Sequence, residues 1–326
     1  MKIKNTLAII CFCIVSTAIA QKSLGEATKA ELEKSKSATR MVQISGNTYM
    51  IGGKGGNIAV HFGAEEILMI DDKFADDTDN ILEQIRRINK KKPISFLINT
   101  HHHGDHTGGN ENLKKEGAII IAHENARANI SYGTKTKEEA LPKVTFSKDM
   151  KLWFDGQEIY AFHVDKAHTN GDVMVYIPQT NVLHTGDAFV NGMYPFIDIE
   201  NGGTLDGYMN GLAQAAMVAN ENTKIIPGHG NIANRVDVKL LANMLEVLKK
   251  RVTVEISRSK TEEEVAANTE LTKEFDEKGY GDGFINGEKI RRTIYKQLTN
   301  PYKNDEERLM DRKMNMREKA KDNKKG

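Results

Sequence analysis

The run His101-His102-His103-Gly104-Asp105-His106 puts four histidines and an aspartate within six residues. It follows Pro93 and the apolar run Ile94-Ser95-Phe96-Leu97-Ile98, whose length and boundaries read as a buried strand. On its other side Gly108-Gly109 opens a helical stretch over 110–116. The run therefore sits in a strand-to-helix loop, where a rigid scaffold presents reactive groups. Zinc in hydrolases takes neutral imidazole and carboxylate ligands and leaves one position for water. In an extended loop, residues two apart project to the same side, so His101 and His103 can grip one ion while Asp105 and His106 turn toward a second. Taken alone, the same hexamer is also what a weak surface metal trap or chance composition would look like.

Outward from it the chain is patterned throughout. Upstream, 43–51, 57–62 and 67–70 read as strands between Gly-rich turns, and 76–92 carries Ile81, Ile85 and Ile88 at helical spacing. Downstream, 118–122 returns as a strand, followed after a polar segment by strand candidates at 143–147, 151–154, 158–164, 172–177 and 182–185. Leu205, Tyr208, Met209, Leu212 and Ala216 share one helical face, 224–226 is a short strand, and Leu241, Met244, Leu245 and Leu248 form a second face. Strand runs punctuated by helices predict an α+β protein with two sheets covered by helices, a four-layer αββα arrangement if the two halves repeat. A catalytic region over 41–252 is expected to be followed by an amphipathic helical extension at 253–300 and a charged tail at 301–326, where nine Lys/Arg face six Asp/Glu. No internal repeat is evident.

Three further candidates stand in short loops beside predicted strands: His168 in Ala167-His168-Thr169-Asn170-Gly171, Asp187 after Thr185-Gly186, and His229 in Pro227-Gly228-His229-Gly230. With Asp71 after its apolar strand and the His-x-His-x-Asp-His loop at 101–106, the chain resembles the metallo-β-lactamase superfamily over about 41–252. The resemblance implies that His101, His103 and His168 bind a first zinc, that Asp105, His106 and His229 bind a second, and that Asp187 bridges them. It also implies that a hydroxide shared by the metals is the nucleophile, with Asp105 orienting it and sharing in its proton transfer, while Asp71 hydrogen-bonds the ligand loop. Iron or manganese suits such a donor set as well. His123, His184 and Asn191 are candidate substrate contacts, although Asn before Gly is commonly a turn residue. His61 and His163 lie inside strand patterns and read as structural, and His102 is expected to face outward.

The first residues combine Lys2 and Lys4 with the apolar stretch 6–20, ending Ala18-Ile19-Ala20, which reads as a secretory signal over 1–20 and not as a membrane anchor. Its removal would take away Cys11 and Cys13, the only two cysteines, excluding disulfides, cysteine nucleophiles and Cys-ligated zinc. The formal net charge is +1, and no basic patch flanked by aromatics appears, which argues against a nucleic-acid partner. The expected partner is a small molecule, met in the periplasm or the medium; oligomeric state leaves no trace in the sequence.

Within the superfamily, the resemblance to well-studied secreted β-lactamases breaks at two places. Asp187 stands where they carry a ligating cysteine, and Val190 stands where a lysine holds the antibiotic's carboxylate. A bridging aspartate resembles instead the thioesterases, lactonases and some secreted β-lactamase-like proteins. Secretion argues against a cytoplasmic glutathione thioester as substrate, and a histidine at 103 argues against the diiron oxygen-reducing branch. The expectation is a dizinc hydrolase of a β-lactam or related cyclic amide or ester. A lactonase or thioesterase is the alternative, and a catalytically silent secreted metal-binding protein is the alternative of another class.

Overall fold

The computed structural model describes residues 39–132 and 137–300; the expected signal at 1–20 and tail at 301–326 lie outside the described residues. Seven strands make the first sheet in simple order: β1 (Arg40–Ser45), β2 (Thr48–Gly52), β3 (Ile58–Phe62), β4 (Ile67–Ile70), β5 (Ile94–Ile98), β6 (Ile119–His123) and β7 (Val144–Phe146). β1 to β4 pair antiparallel, and β4 to β7 pair parallel. The change of sense has a covalent cause, because a parallel pair needs a crossover and α1 (Thr78–Ile88) supplies it between β4 and β5. The second sheet contains β8 (Asp149–Phe154), β9 (Gln157–Val164), β10 (Asp172–Ile177), β11 (Val182–Gly186) and β12 (Lys224–Pro227), in the order β12-β11-β10-β9-β8. It is antiparallel except for the β11–β12 pair, whose crossover is α5 (Leu205–Val218).

Three apolar clusters fill the gaps between four layers. Ile70, Ile98 and Ile121 of the first sheet meet Phe154, Val173, Val175 and Ile226 of the second in the middle. Outside the first sheet, Val60, Met69 and Leu97 pack under Ile81 and Ile85 of α1. Outside the second, α5 and α6 (Arg235–Ser257) cover Met174, Leu183 and Ile225. Strands β4 and β5 lie between two apolar clusters, which is why Ile67-Leu68-Met69-Ile70 is apolar at every position instead of alternating. The architecture is the expected αββα.

Some boundaries differ from expectation. The single strand read at 43–51 is a hairpin, with Gly46 at φ 52° in the turn between β1 and β2. The segment read only as polar contains α4 (Glu124–Ser131). The break expected after Val252 falls inside α6, a continuous helix of 23 residues. Beyond it, α7 (Glu262–Ala267), α8 (Lys273–Asp276) and α9 (Gly287–Thr299) are short pieces, and Val265, Leu271, Phe275, Ile290 and Ile294 join the same core as α5 and α6. Residues 253–300 thus belong to the outer helical layer of one compact unit. Among the described residues no helix is long and apolar enough to cross a membrane.

Candidate metal centre

The proposed ligands gather where strands of both sheets end. Asp71 follows β4, the histidine run follows β5, Asp187 follows β11 and His229 follows β12, with His168 in the β9–β10 connection. Chain direction places the C-terminal ends of the parallel strands on one edge, so residues more than a hundred positions apart converge. The histidine run is only partly extended: Gly104–Thr107 forms a one-turn helix, α2, which follows the extended His103 and swings Asp105 and His106 away from it. α3 (Asn110–Lys115) follows.

His101, His103, His168 and Asp187 form one group, and Asp105, His106 and His229 another, each with ligand atoms within 4.8 Å of one another. In the first group His103 Nδ1 lies 3.1 Å from His101 Nε2 and 2.8 Å from His168 Nε2. Asp187 reaches both groups. Its Oδ1 stands 3.1 Å from His106 Nε2, and its Oδ2 stands 3.4 Å from His229 Nε2 and 3.7 Å from His168 Nε2. Asp105 Oδ2 is 3.3 Å from His229 Nε2 and 3.8 Å from His106 Nε2.

This donor set fits divalent cations. Three imidazole nitrogens converging on one point cannot all be satisfied by one another, since each neutral ring has one donor nitrogen and one acceptor. Asp187 Oδ1 is buried and makes no hydrogen bond among the described residues, despite its nearness to His106. Both features are what lone pairs aimed at an ion would produce. The electrostatics agree. Burial, then the neighbouring His106, holds His101 well below the usual histidine value, and burial pushes His168 down to about 4, so these rings stay neutral as ligands must. Asp187 raises His229 to about 9 against the effect of burial. Burial would raise the Asp187 carboxyl, but His229 and His106 outweigh it and hold it well below the usual carboxylate range. A strongly negative focus of this kind retains protons that a cation would displace.

Three of the rings are oriented by their other nitrogen. His106 Nδ1 meets Asp71 Oδ2 at 2.7 Å, and Asp71 also accepts from Thr100 N and Thr100 Oγ1, both at 2.7 Å. His168 Nδ1 meets the Phe196 carbonyl at 2.7 Å. His103 Nε2 meets Asp198 Oδ2 at 2.9 Å. Asp198 was not anticipated. It lies in a loop, Pro195-Phe196-Ile197-Asp198, with no spacing relation to the histidines, and its own partner is Asn201 of the next turn. His102, expected to face outward, is half-buried with its ring 4.5 Å from His103, and it groups with His103 and Asp198.

The three candidate substrate contacts are already engaged. His123 caps α4, accepting from Asn125 N on Nδ1 and pairing through Nε2 with the Ser147 carbonyl, and its ring stacks on His163 at 3.8 Å. His184 is fully buried between Gly186 N and the Asn57 carbonyl. Asn191 Nδ2 donates to the Asn231 carbonyl, tying its loop to that of His229. The ring nitrogens of His123 and His184 are thus taken up by the scaffold, and Asn191 gives its amide to the neighbouring loop. His61 and His163 are structural as expected: His61 pairs with Thr48 Oγ1 at 2.8 Å, and His163 Nδ1 meets the Asp172 carbonyl at 2.8 Å.

The glycine-rich stretch 52–57 closes over the site. Gly56 lies so near the His106 ring that a Cβ there would overlap it, and a Cβ on Gly228 would overlap Asp187 Oδ1. Buried Lys73 holds the loop by donating to the carbonyls of Lys54 and Gly56. Asn57 Nδ2 donates to the carbonyls of Pro227 and Gly230 on either side of His229.

Known proteins share this plan. The metallo-beta-lactamase superfamily model matches residues 43–229. The metallo-beta-lactamase type 2 of Bacillus cereus is 26% identical over 189 residues, 56% of this chain and 69% of that one. A hydroxyacylglutathione hydrolase of Pelagibacter ubique is 30% identical over 140 residues, 42% of this chain and 52% of that one. The solved metallo-beta-lactamase from Pontibacter korlensis superposes with a TM-score of 0.57 at 20% identity, covering 64% of this chain and 99% of that one, a likeness of fold. With the family model spanning more than half the chain and the same αββα fold beneath it, this protein belongs to the metallo-beta-lactamase superfamily.

Proposed function

We propose that the protein is a two-metal hydrolase, with zinc as the metal, that opens a β-lactam or a related cyclic amide or ester. The observation that carries the reading is Asp187, whose carboxylate reaches both histidine groups, His106 and His229 of one and His168 of the other, and keeps one buried oxygen without a hydrogen bond among the described residues. Two cations held there would lower the pKa of water and polarise a substrate carbonyl. The chain's own part is positional. Asp71, Asp198 and the Phe196 carbonyl hold His106, His103 and His168 in fixed tautomers and orientations. Asp105, with 23% of its side chain exposed, is the carboxylate of the site open to solvent, and it can orient an attacking water and hold its proton. Gly56 lets the glycine-rich backbone lie directly against the His106 ring.

Seven donors for two ions leave room for water, whereas a closed structural site saturates four ligands on one ion. That favours catalysis over a silent metal-binding protein. A thioester is the second reading, favoured by the hydroxyacylglutathione hydrolase relative. Export under the segment 1–20 forms part of the proposal, which places the reaction in the periplasm or the medium.

The test is a panel of a β-lactam, an acyl-lactone and a glutathione thioester, run on zinc-loaded protein whose metal content is measured. About two zinc ions per chain with turnover of the β-lactam or lactone is the expected result. Turnover of the thioester alone would move the assignment to the second reading. Metal without turnover on any of the three would mean a silent binder, and no retained metal would sink the centre itself.

A further inference from the structure

Phe284 lies well beyond the matched family segment, between α8 and α9, yet it reaches the metal centre's neighbourhood through Phe196. The residue is 73% exposed. It contacts Phe196 edge-on, with ring centroids 5.5 Å apart at 83°. Phe196 in turn stacks on His103 at 5.9 Å and 24°, and lies 5.6 Å from His168. A continuous aromatic surface therefore runs from the first ligand group out to the C-terminal segment.

That surface is built in place. Tyr194 N donates to the Tyr280 carbonyl at 2.9 Å, and Tyr194 Oη donates to Asp276 Oδ1 at 2.9 Å, which clamps the segment onto the loop carrying Phe196. Ile285, next to Phe284, is buried in the outer core. Lys289 donates to the Phe284 carbonyl at 2.9 Å, and its ammonium sits 4.6 Å from the centroid of the Phe284 ring. A ring fixed on both sides and left in water adds no burial to folding, but it offers preorganised apolar area to a ligand in the adjoining site.

We propose that Phe284 and Phe196 form an apolar wall of the substrate site that takes an aromatic substituent on the acyl side of the scissile bond, making Phe284 a specificity-determining residue. The proposal rests on the two-metal reading above and narrows its substrate class to aryl-bearing acyl compounds. The wall lies beside the histidine triad, so a substituent on it belongs to the group whose carbonyl is directed toward His101, His103 and His168.

The test uses the full chain loaded with cobalt(II) and two thiols, phenylmethanethiol and ethanethiol, whose binding is read from the sulfur-to-cobalt absorption band without any turnover. The parent is expected to bind the aryl thiol about tenfold tighter, on the scale of one aromatic contact. Phe284→Ala should bring that ratio close to one while leaving ethanethiol affinity and bound cobalt unchanged, and Phe284→Tyr should restore it. A parent without aryl preference, or a ratio unchanged in Phe284→Ala, overturns the wall and leaves the two-metal reading standing. A parent that takes up no cobalt overturns both.

Discussion

Asp187→Ala is expected to lose metal and activity together, with bound zinc falling well below one ion per chain and kcat/KM dropping by about a thousandfold or more. Asp187 is the residue that touches both groups, at 3.1 Å from His106, 3.4 Å from His229 and 3.7 Å from His168. Its removal takes away a shared ligand and the negative charge that offsets several converging rings. Loss of a group that only orients a ligand costs about 10- to 100-fold, and a shared ligand must cost more. His61→Ala is the matched control, because His61 is buried too but pairs with Thr48 and belongs to neither ligand group. It should lower stability by about 1–3 kcal/mol and keep its metal. Metal analysis beside thermal unfolding and a hydrolysis assay reads all three quantities; equal metal loss in the two variants would show that the sites are misassigned.

Asp71→Ala should be the most damaging change to the metal-free fold. The side chain is fully buried and takes three hydrogen bonds, from Thr100 N, Thr100 Oγ1 and His106. Alanine leaves Thr100 N and His106 Nδ1 buried without that acceptor, a loss of about 3–5 kcal/mol when one member of a buried charged pair is removed. The backbone adds to it, since Asp71 sits at φ 63°, a left-handed conformation that aspartate and asparagine tolerate better than alanine. With His106 released, metal affinity should fall as well. Asp71→Asn keeps the shape and suits the backbone, and should recover part of the stability. Urea unfolding of the metal-free proteins measures this, and a loss under 1 kcal/mol for the alanine variant would mean that Asp71 does not organise the ligand loop.

Much of the plan was legible in the residues. Strands β4 and β5 announced themselves as short apolar runs because a strand covered on both faces has no reason to alternate. The four ligand-bearing segments were legible because each pairs a rare chemistry, histidine or a lone aspartate, with a glycine- or threonine-flanked strand end. Less legible were the elements whose cause lies elsewhere in the chain. The one-turn helix α2 rests on only four residues, too few for a periodic signal. α6 runs through Val252 because Leu241, Leu245, Leu248 and Val252 all pack on the same outer core.

The sequence by itself pointed to the αββα layering and to the seven candidate ligands, through strand and helix periodicity, the glycine- or threonine-flanked strand ends and the resemblance to a known family. Only the tertiary structure decided which nitrogen of His103, His106 and His168 faces the centre, since that depends on Asp198, Asp71 and the Phe196 carbonyl, brought in from distant loops. It also supplied the backbone partners that engage the rings of His123 and His184 and the amide of Asn191, which no spacing could reveal. And it carried Phe284 from the far end of the chain to the rim of the histidine triad, a contact between rings 88 positions apart that exists only because the C-terminal helices share a core with α5 and α6.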